Sequence, residues 1–177
     1  ARVGITTAAD ELQPFVDAME ERWKLGAEFS GLTTGLVKLN ERTGGLRPGE
    51  LTIIAGRPAM GKSALAAGIA EHLVFGCAED VYSVNLEMRE RQQIGRLLAR
   101  SGAVPLRAAR GLPTESEVED AANAAQTLYE SAKRLHMDRA TDLTVAQIRQ
   151  RARKLQRSLK RKGRSLALIV VDYLQLI

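Results

Sequence analysis

Gly56-Arg57-Pro58-Ala59-Met60-Gly61-Lys62-Ser63 fits the pattern G-x-x-x-x-G-K-[ST] at every position. The run before it, Leu51-Thr52-Ile53-Ile54-Ala55, is apolar and rich in β-branched residues and reads as a buried strand. Ala64 to Phe75, rich in alanine and leucine, reads as a helix closed by Gly76. Strand, glycine loop and helix form the context in which this pattern cradles phosphate. At average composition the pattern arises by chance in roughly one per cent of chains this size or fewer. The glycines permit a tight backbone nest whose N–H groups point at phosphate oxygens, and the helix adds the positive end of its dipole. Lys62 is expected on the β- and γ-phosphates of a nucleotide and the Ser63 hydroxyl on Mg²⁺.

The 177 residues suffice for one domain with its own core. At 45% hydrophobic and 27% charged, the composition is that of a soluble globular protein. There is no run of membrane-spanning length and no signal-peptide layout at the start, so no membrane partner is expected. The single Cys77 cannot form an internal disulfide, which fits a reducing, cytoplasmic location. An aromatic content of 4% argues against a base-stacking platform. The net charge of +5 is uneven, with nine Lys or Arg and no acid from Arg149 to Arg164. Such a run points either to an anionic partner or to a solvated helix face.

In chain order, Leu12, Val16, Met19 and Trp23 recur at helical spacing. They predict a helix over about 14–25, with Pro14 in its first turn and Gly26 at its end. The stripe reads as core or as a docking face for another subunit, and the linker-like stretch Gly26–Thr34 favours docking. A short helix is expected near Leu36–Asn40. Val81–Leu86 reads as a strand, followed by a helix over Arg89–Ser101. Thr114 with Glu117, and Thr144 with Gln147, are capping-box signatures for two further helices. The first carries Val118, Ala121, Ala125, Leu128 and Ala132 on an apolar face. The second carries the stripe Val145, Ile148, Ala152, Leu155 and Leu159. Leu135–Asp138 is a short strand candidate. Leu166–Val171 is a continuous apolar run, as in a central parallel strand covered on both faces. His72 and His136 have no partner spacing for a metal or catalytic pair.

Alternating strands and helices imply an α/β fold with a mainly parallel sheet, whose ligands bind beyond the C-terminal strand ends. Three features stand at such ends: the glycine loop, Glu87 and Asp172. Asp172 is expected to hold Mg²⁺ opposite Ser63. Glu87 is placed either to orient the attacking water or simply to begin a helix.

These stretches together resemble the ATPase domain of DnaB-type replicative DNA helicases, which are RecA-like hexameric motors. The resemblance rests on Thr33-Thr34-Gly35 with Thr43-Gly44-Gly45-Leu46, the Gly56–Ser63 loop, Asn85-Leu86-Glu87-Met88, Leu143-Thr144-Val145, and Ile169-Val170-Val171-Asp172-Tyr173-Leu174-Gln175-Leu176. It covers residues 32–177 as a RecA-like P-loop core, with residues 1–31 as a linker segment and docking helix. It implies that Glu87 is the catalytic glutamate, that Asp172 is the acid of the second nucleotide motif, and that Arg96 reaches the nucleotide region. Gly56, Arg57, Pro58, Ala59, Met60, Gly61, Lys62 and Ser63 would then bind ATP. Implied partners are single-stranded or forked DNA, five further copies of the chain in a ring, primase and a helicase loader. Ser63 stands where Thr is common and Asn85 where Ser is common. The family's DNA-contacting loops, γ-phosphate sensor and arginine finger have no counterpart before Ile177, so the chain reads as a fragment of a longer helicase. A filament-forming recombination ATPase and a nucleotide-binding module without turnover are the alternatives.

Overall fold

A computed structural model describes residues 5–24, 31–140 and 142–172, the side chain of Arg22 excepted. Two compact units form, residues 1–52 and 53–177.

In the first unit, α1 (Ala8–Lys24) starts earlier than the periodicity predicts. Thr7 Oγ1 accepts the Asp10 N–H at 3.3 Å and Asp10 Oδ2 accepts the Thr7 N–H at 3.1 Å, a reciprocal cap that nucleates the first turn. Pro14 therefore lies inside the helix and not in its first turn. Leu12, Val16, Met19 and Trp23 are 67%, 45%, 52% and 81% exposed, so the stripe is not core within this chain. The expected helix end at Leu25 and Gly26, and the linker stretch 26–30, fall outside the described residues. Helix α2 (Val37–Thr43) is anchored by buried Asn40. Its Oδ1 accepts the Thr34 N–H at 2.9 Å and the Thr34 hydroxyl at 2.7 Å. Leu32 and Leu46 form an antiparallel bridge beside it.

The second unit runs α3 (Lys62–Glu71), a π-helical turn (His72–Gly76), β1 (Asp80–Asn85), α4 (Glu90–Arg100), α5 (Leu106–Arg110), α6 (Glu115–Ala132), β2 (Leu135–Met137), α7 (Val145–Lys160) and β3 (Leu166–Asp172). Both expected capping boxes are present, at the starts of α6 and α7. The three strands are parallel in the order β2-β1-β3. Tyr82, Val84 and Leu86 alternate onto one face and pack with Leu143, Ile148 and Ala152. Ser83 and Asn85 face the opposite side, towards Ala66, Ala67 and Ala70 of α3. Leu73, Val74, Val81 and Val84 are at most 1% exposed, and each such side chain contributes about 1.5–3 kcal/mol of burial.

Several expectations are corrected. Leu51–Ala55 is not a buried strand: Leu51, Ile53 and Ile54 are 83%, 65% and 37% exposed, and the run forms no ladder with the described residues. Apolar, β-branched composition favours extended backbone, but a strand exists only through a hydrogen-bonded neighbour. Among the described residues the central strand is β1, and β3 is at the sheet's edge, with Ile169 44% exposed. On α7, Ile148, Ala152 and Leu159 are buried as expected, but Val145 in the first turn is exposed. Helix α6 buries no residue fully, and Val118 and Ala125 are exposed.

Two buried acids tie the sheet to its surroundings. Asp80, 1% exposed, accepts hydrogen bonds from Arg164 (Nε at 2.7 Å) and pairs with His136 Nε2 at 2.7 Å and Arg134 at 3.5 Å. Asp138 accepts from the Tyr82 hydroxyl, from Arg151 and from the Ala140 N–H at 3.0 Å. Burial raises both carboxyls, but these partners outweigh it and hold both below the ordinary Asp value. Burial and the neighbouring Asp138 push the Tyr82 hydroxyl far above its usual range. A carboxyl lowered in the folded state stabilises the fold above its unfolded pKa of about 3.9, and that stability is lost as pH falls through the lowered folded value. Urea melts should therefore show Asp138→Asn destabilised by about 1–3 kcal/mol at pH 7. Below pH about 4 its stability should fall less steeply than that of the wild type.

Candidate active site

The glycine loop passes into α3 through left-handed backbone, with φ at 63° for Ala59 and 84° for Gly61. Gly61 is the residue preceding α3 and brings no side chain to cap it. The first-turn N–H groups of this ten-residue helix therefore have no side-chain cap, and the positive end of its dipole lies at the loop. Lys62 folds back so that Nζ donates to the carbonyls of Gly56 at 3.0 Å and Arg57 at 3.1 Å. The ammonium is thus held over the loop by main-chain acceptors.

Pro58, Ala59, Gly61, Lys62 and Ser63 line a cleft of about 1080 Å³ together with Glu87, Arg96 and Asp172. The residues singled out from three separate stretches of sequence converge there. Gly56, Arg57 and Met60 of the loop do not line it. The convergence follows from the parallel register, in which Asn85 is the Cα partner of Asp172 and the Leu86 N–H donates to the Asp172 carbonyl at 2.7 Å. Glu87 is exposed in the turn leaving β1, and α4 carries Arg96. Ser63 and Asp172 supply a hydroxyl and a carboxylate oxygen to one cleft, the hard-donor set that suits Mg²⁺ when phosphate oxygens and water complete its shell. Among the described residues no cluster of three His, Cys, Asp or Glu forms a protein-only metal site.

The structure adds residues that sequence reasoning passed over. Arg91 and Gln92 from α4, and Leu106, Ala109 and Arg110 from α5, add to the wall. Helix α5 was hidden behind Pro105, which reads as a stop but precedes a new helix. Asn85 accepts the Glu87 and Met88 N–H groups, and the signal for it was an Asn two residues before Glu87 at a strand end, an Asx-turn pattern. Of the basic run, Arg151 and Arg164 serve Asp138 and Asp80, while Arg149, Arg153, Lys154 and Arg157 lie elsewhere on α7 and are exposed. His136 pairs with Asp80, and His72 lies 3.7 Å from Cys77.

Comparison with known proteins places this architecture. Residues 31–177 match the family model "DnaB-like helicase C terminal domain". The replicative DNA helicase DnaB of Buchnera aphidicola subsp. Baizongia pistaciae is 34% identical over 149 residues, covering 84% of this chain and 31% of the relative. The replicative DNA helicase DnaB of Nostoc sp. is 33% identical over 175 residues, covering 98% of this chain and 19% of the relative. The chain thus spans about a third or less of the length of these curated relatives. Among solved structures, one described as an ATPase domain aligns with a TM-score of 0.76 and 25% identity, over 97% of this chain and 59% of that one. A DnaB-like replicative helicase, solved in a study that includes its interactions with primase, shares the fold with a TM-score of 0.77 and 24% identity, over 98% of this chain and 40% of that one.

The loop geometry itself can be tested. A Cβ at Gly61 would meet nothing within 4 Å, so Gly61→Ala carries only the left-handed backbone penalty. Thermal melts should show a loss of about 1–2 kcal/mol with the fold retained.

Proposed function

The chain belongs to the DnaB-like helicase C-terminal domain family, and on that premise we propose that it is the ATP-hydrolysing part of a replicative DNA helicase. The observation that carries this reading is one cleft lined by the phosphate loop, Glu87, Arg96 and Asp172. ATP with Mg²⁺, when bound, supplies the phosphoryl group to be transferred and a cation that offsets its charge. The loop N–H groups and the start of α3 bind phosphate oxygens, and Lys62 neutralises them. Ser63 and Asp172 hold the cation. Glu87 orients the attacking water and accepts its proton, and Arg96 adds positive charge from α4. Glu87 and Asp172 are the two acids of the cleft wall, and with Asp172 beside the cation, Glu87 is left for the water.

Beyond the site, the proposal is a homo-hexameric ring in which α1 docks on a neighbouring subunit. Its exposed apolar stripe supports that reading. Single-stranded or forked DNA is the proposed track, with primase and a helicase loader as partners, on the strength of the family alone. Membrane association is not part of the proposal, and no helix among the described residues is long and apolar enough to cross a membrane.

Binding of Mg-ATP by titration calorimetry, with slow hydrolysis followed by radiolabelled ATP, tests the reading. The wild-type chain should bind, Lys62→Ala should lose binding, and Glu87→Gln should bind normally while hydrolysing at least about a hundredfold more slowly. Equal binding by wild type and Lys62→Ala would sink it.

A further inference from the structure

We propose that Asn85 is the positioning residue for Glu87 and ties the turn that carries it to Asp172. The inference rests on the reading of the cleft given above and deepens it. Asn85 ends β1 and is 7% exposed, so its amide must find partners within the protein. Its Oδ1 accepts the Met88 N–H at 2.7 Å and the Glu87 N–H at 3.1 Å. Two backbone donors converging on one atom require that atom to be the oxygen, which fixes the orientation of the amide. The nitrogen is then turned to the neighbouring strand, where Nδ2 donates to Asp172 Oδ2 in a long bond of 3.4 Å.

One side chain therefore joins three parts of the site. It closes the turn that presents Glu87, it is held by the acid at the end of β3, and it shapes the entry to α4. The last link runs through Met88, whose carbonyl accepts from Gln93 Nε2 at 3.1 Å. Glu87 has no ion-pair partner among the described residues, so this turn sets where its side chain leaves the backbone. Alanine at 85 would leave the two turn N–H groups without an acceptor and Asp172 without its donor. Serine offers an acceptor to the turn but has no amide to reach Asp172.

The test uses the whole chain with Asn85→Ala, Asn85→Ser and Lys62→Ala. Amide exchange at Glu87 and Met88 is read by NMR, ATP affinity by calorimetry and slow hydrolysis by radiolabelled ATP. In Asn85→Ala, exchange at these two amides should quicken about tenfold and hydrolysis should fall about tenfold or more, while ATP affinity stays within about twofold. Asn85→Ser should regain much of the amide protection and part of the hydrolysis. Unchanged exchange or wild-type hydrolysis in Asn85→Ala, with the wild type hydrolysing faster than Lys62→Ala, overturns the role given to Asn85 alone. Hydrolysis by the wild type no faster than by Lys62→Ala overturns the hydrolytic reading and this inference with it.

Discussion

Strand β1 is hydrogen-bonded along both edges, to β2 on one side and β3 on the other, and both of its faces are covered. Its register against β3 sets Asn85 opposite Asp172. Because side chains alternate across a strand, a slip of one residue would turn Asp172 to the α7 face and break the convergence with the phosphate loop. Val171, paired with Val84 and packed on the α7-face cluster, resists that slip, since the slip would carry it to the other face. Packing on one face of the sheet thus holds the candidate site on the other.

Charge is divided in the same way. Asp80 and Asp138 are buried and met by cations, because an unpaired buried carboxylate costs several kcal/mol. Their partners come from β2, α7 and the segment before β3, so the pairs join elements far apart in sequence. Glu87 is exposed to the cleft, and Asp172 is held by an amide, not a cation. Asp80 and Asp138, by contrast, are spent on structure.

The sequence singled out the glycine loop, Glu87, Asp172 and Arg96 through local signatures or a family resemblance, and the fold brings them to one cleft. A glycine pattern dictates backbone shape over eight residues, and an apolar run ending in an acid marks a strand end. The capping boxes at Thr114 and Thr144 were legible for the same reason, since their bonds close within four residues. Helix α1 begins before the position that Pro14 suggests, because the Thr7–Asp10 cap is the stronger start signal.

Other features depend on contacts between distant segments. The apolar run Leu51–Ala55 has the composition of a buried strand, yet it is exposed and unladdered among the described residues, because composition cannot supply a neighbour. The continuous run of β3 reads as central, but edge and centre differ only in what lies beside a strand. Asp80 looks like an ordinary surface acid until Arg164 and His136, far along the chain, are folded against it. Asn85 carried a turn signature, but its reach to Asp172 arises from the register of two strands, across 87 residues of sequence. Hydrogen bonds that close within a turn are written in adjacent residues, while those that cross a sheet come into being only when the sheet assembles.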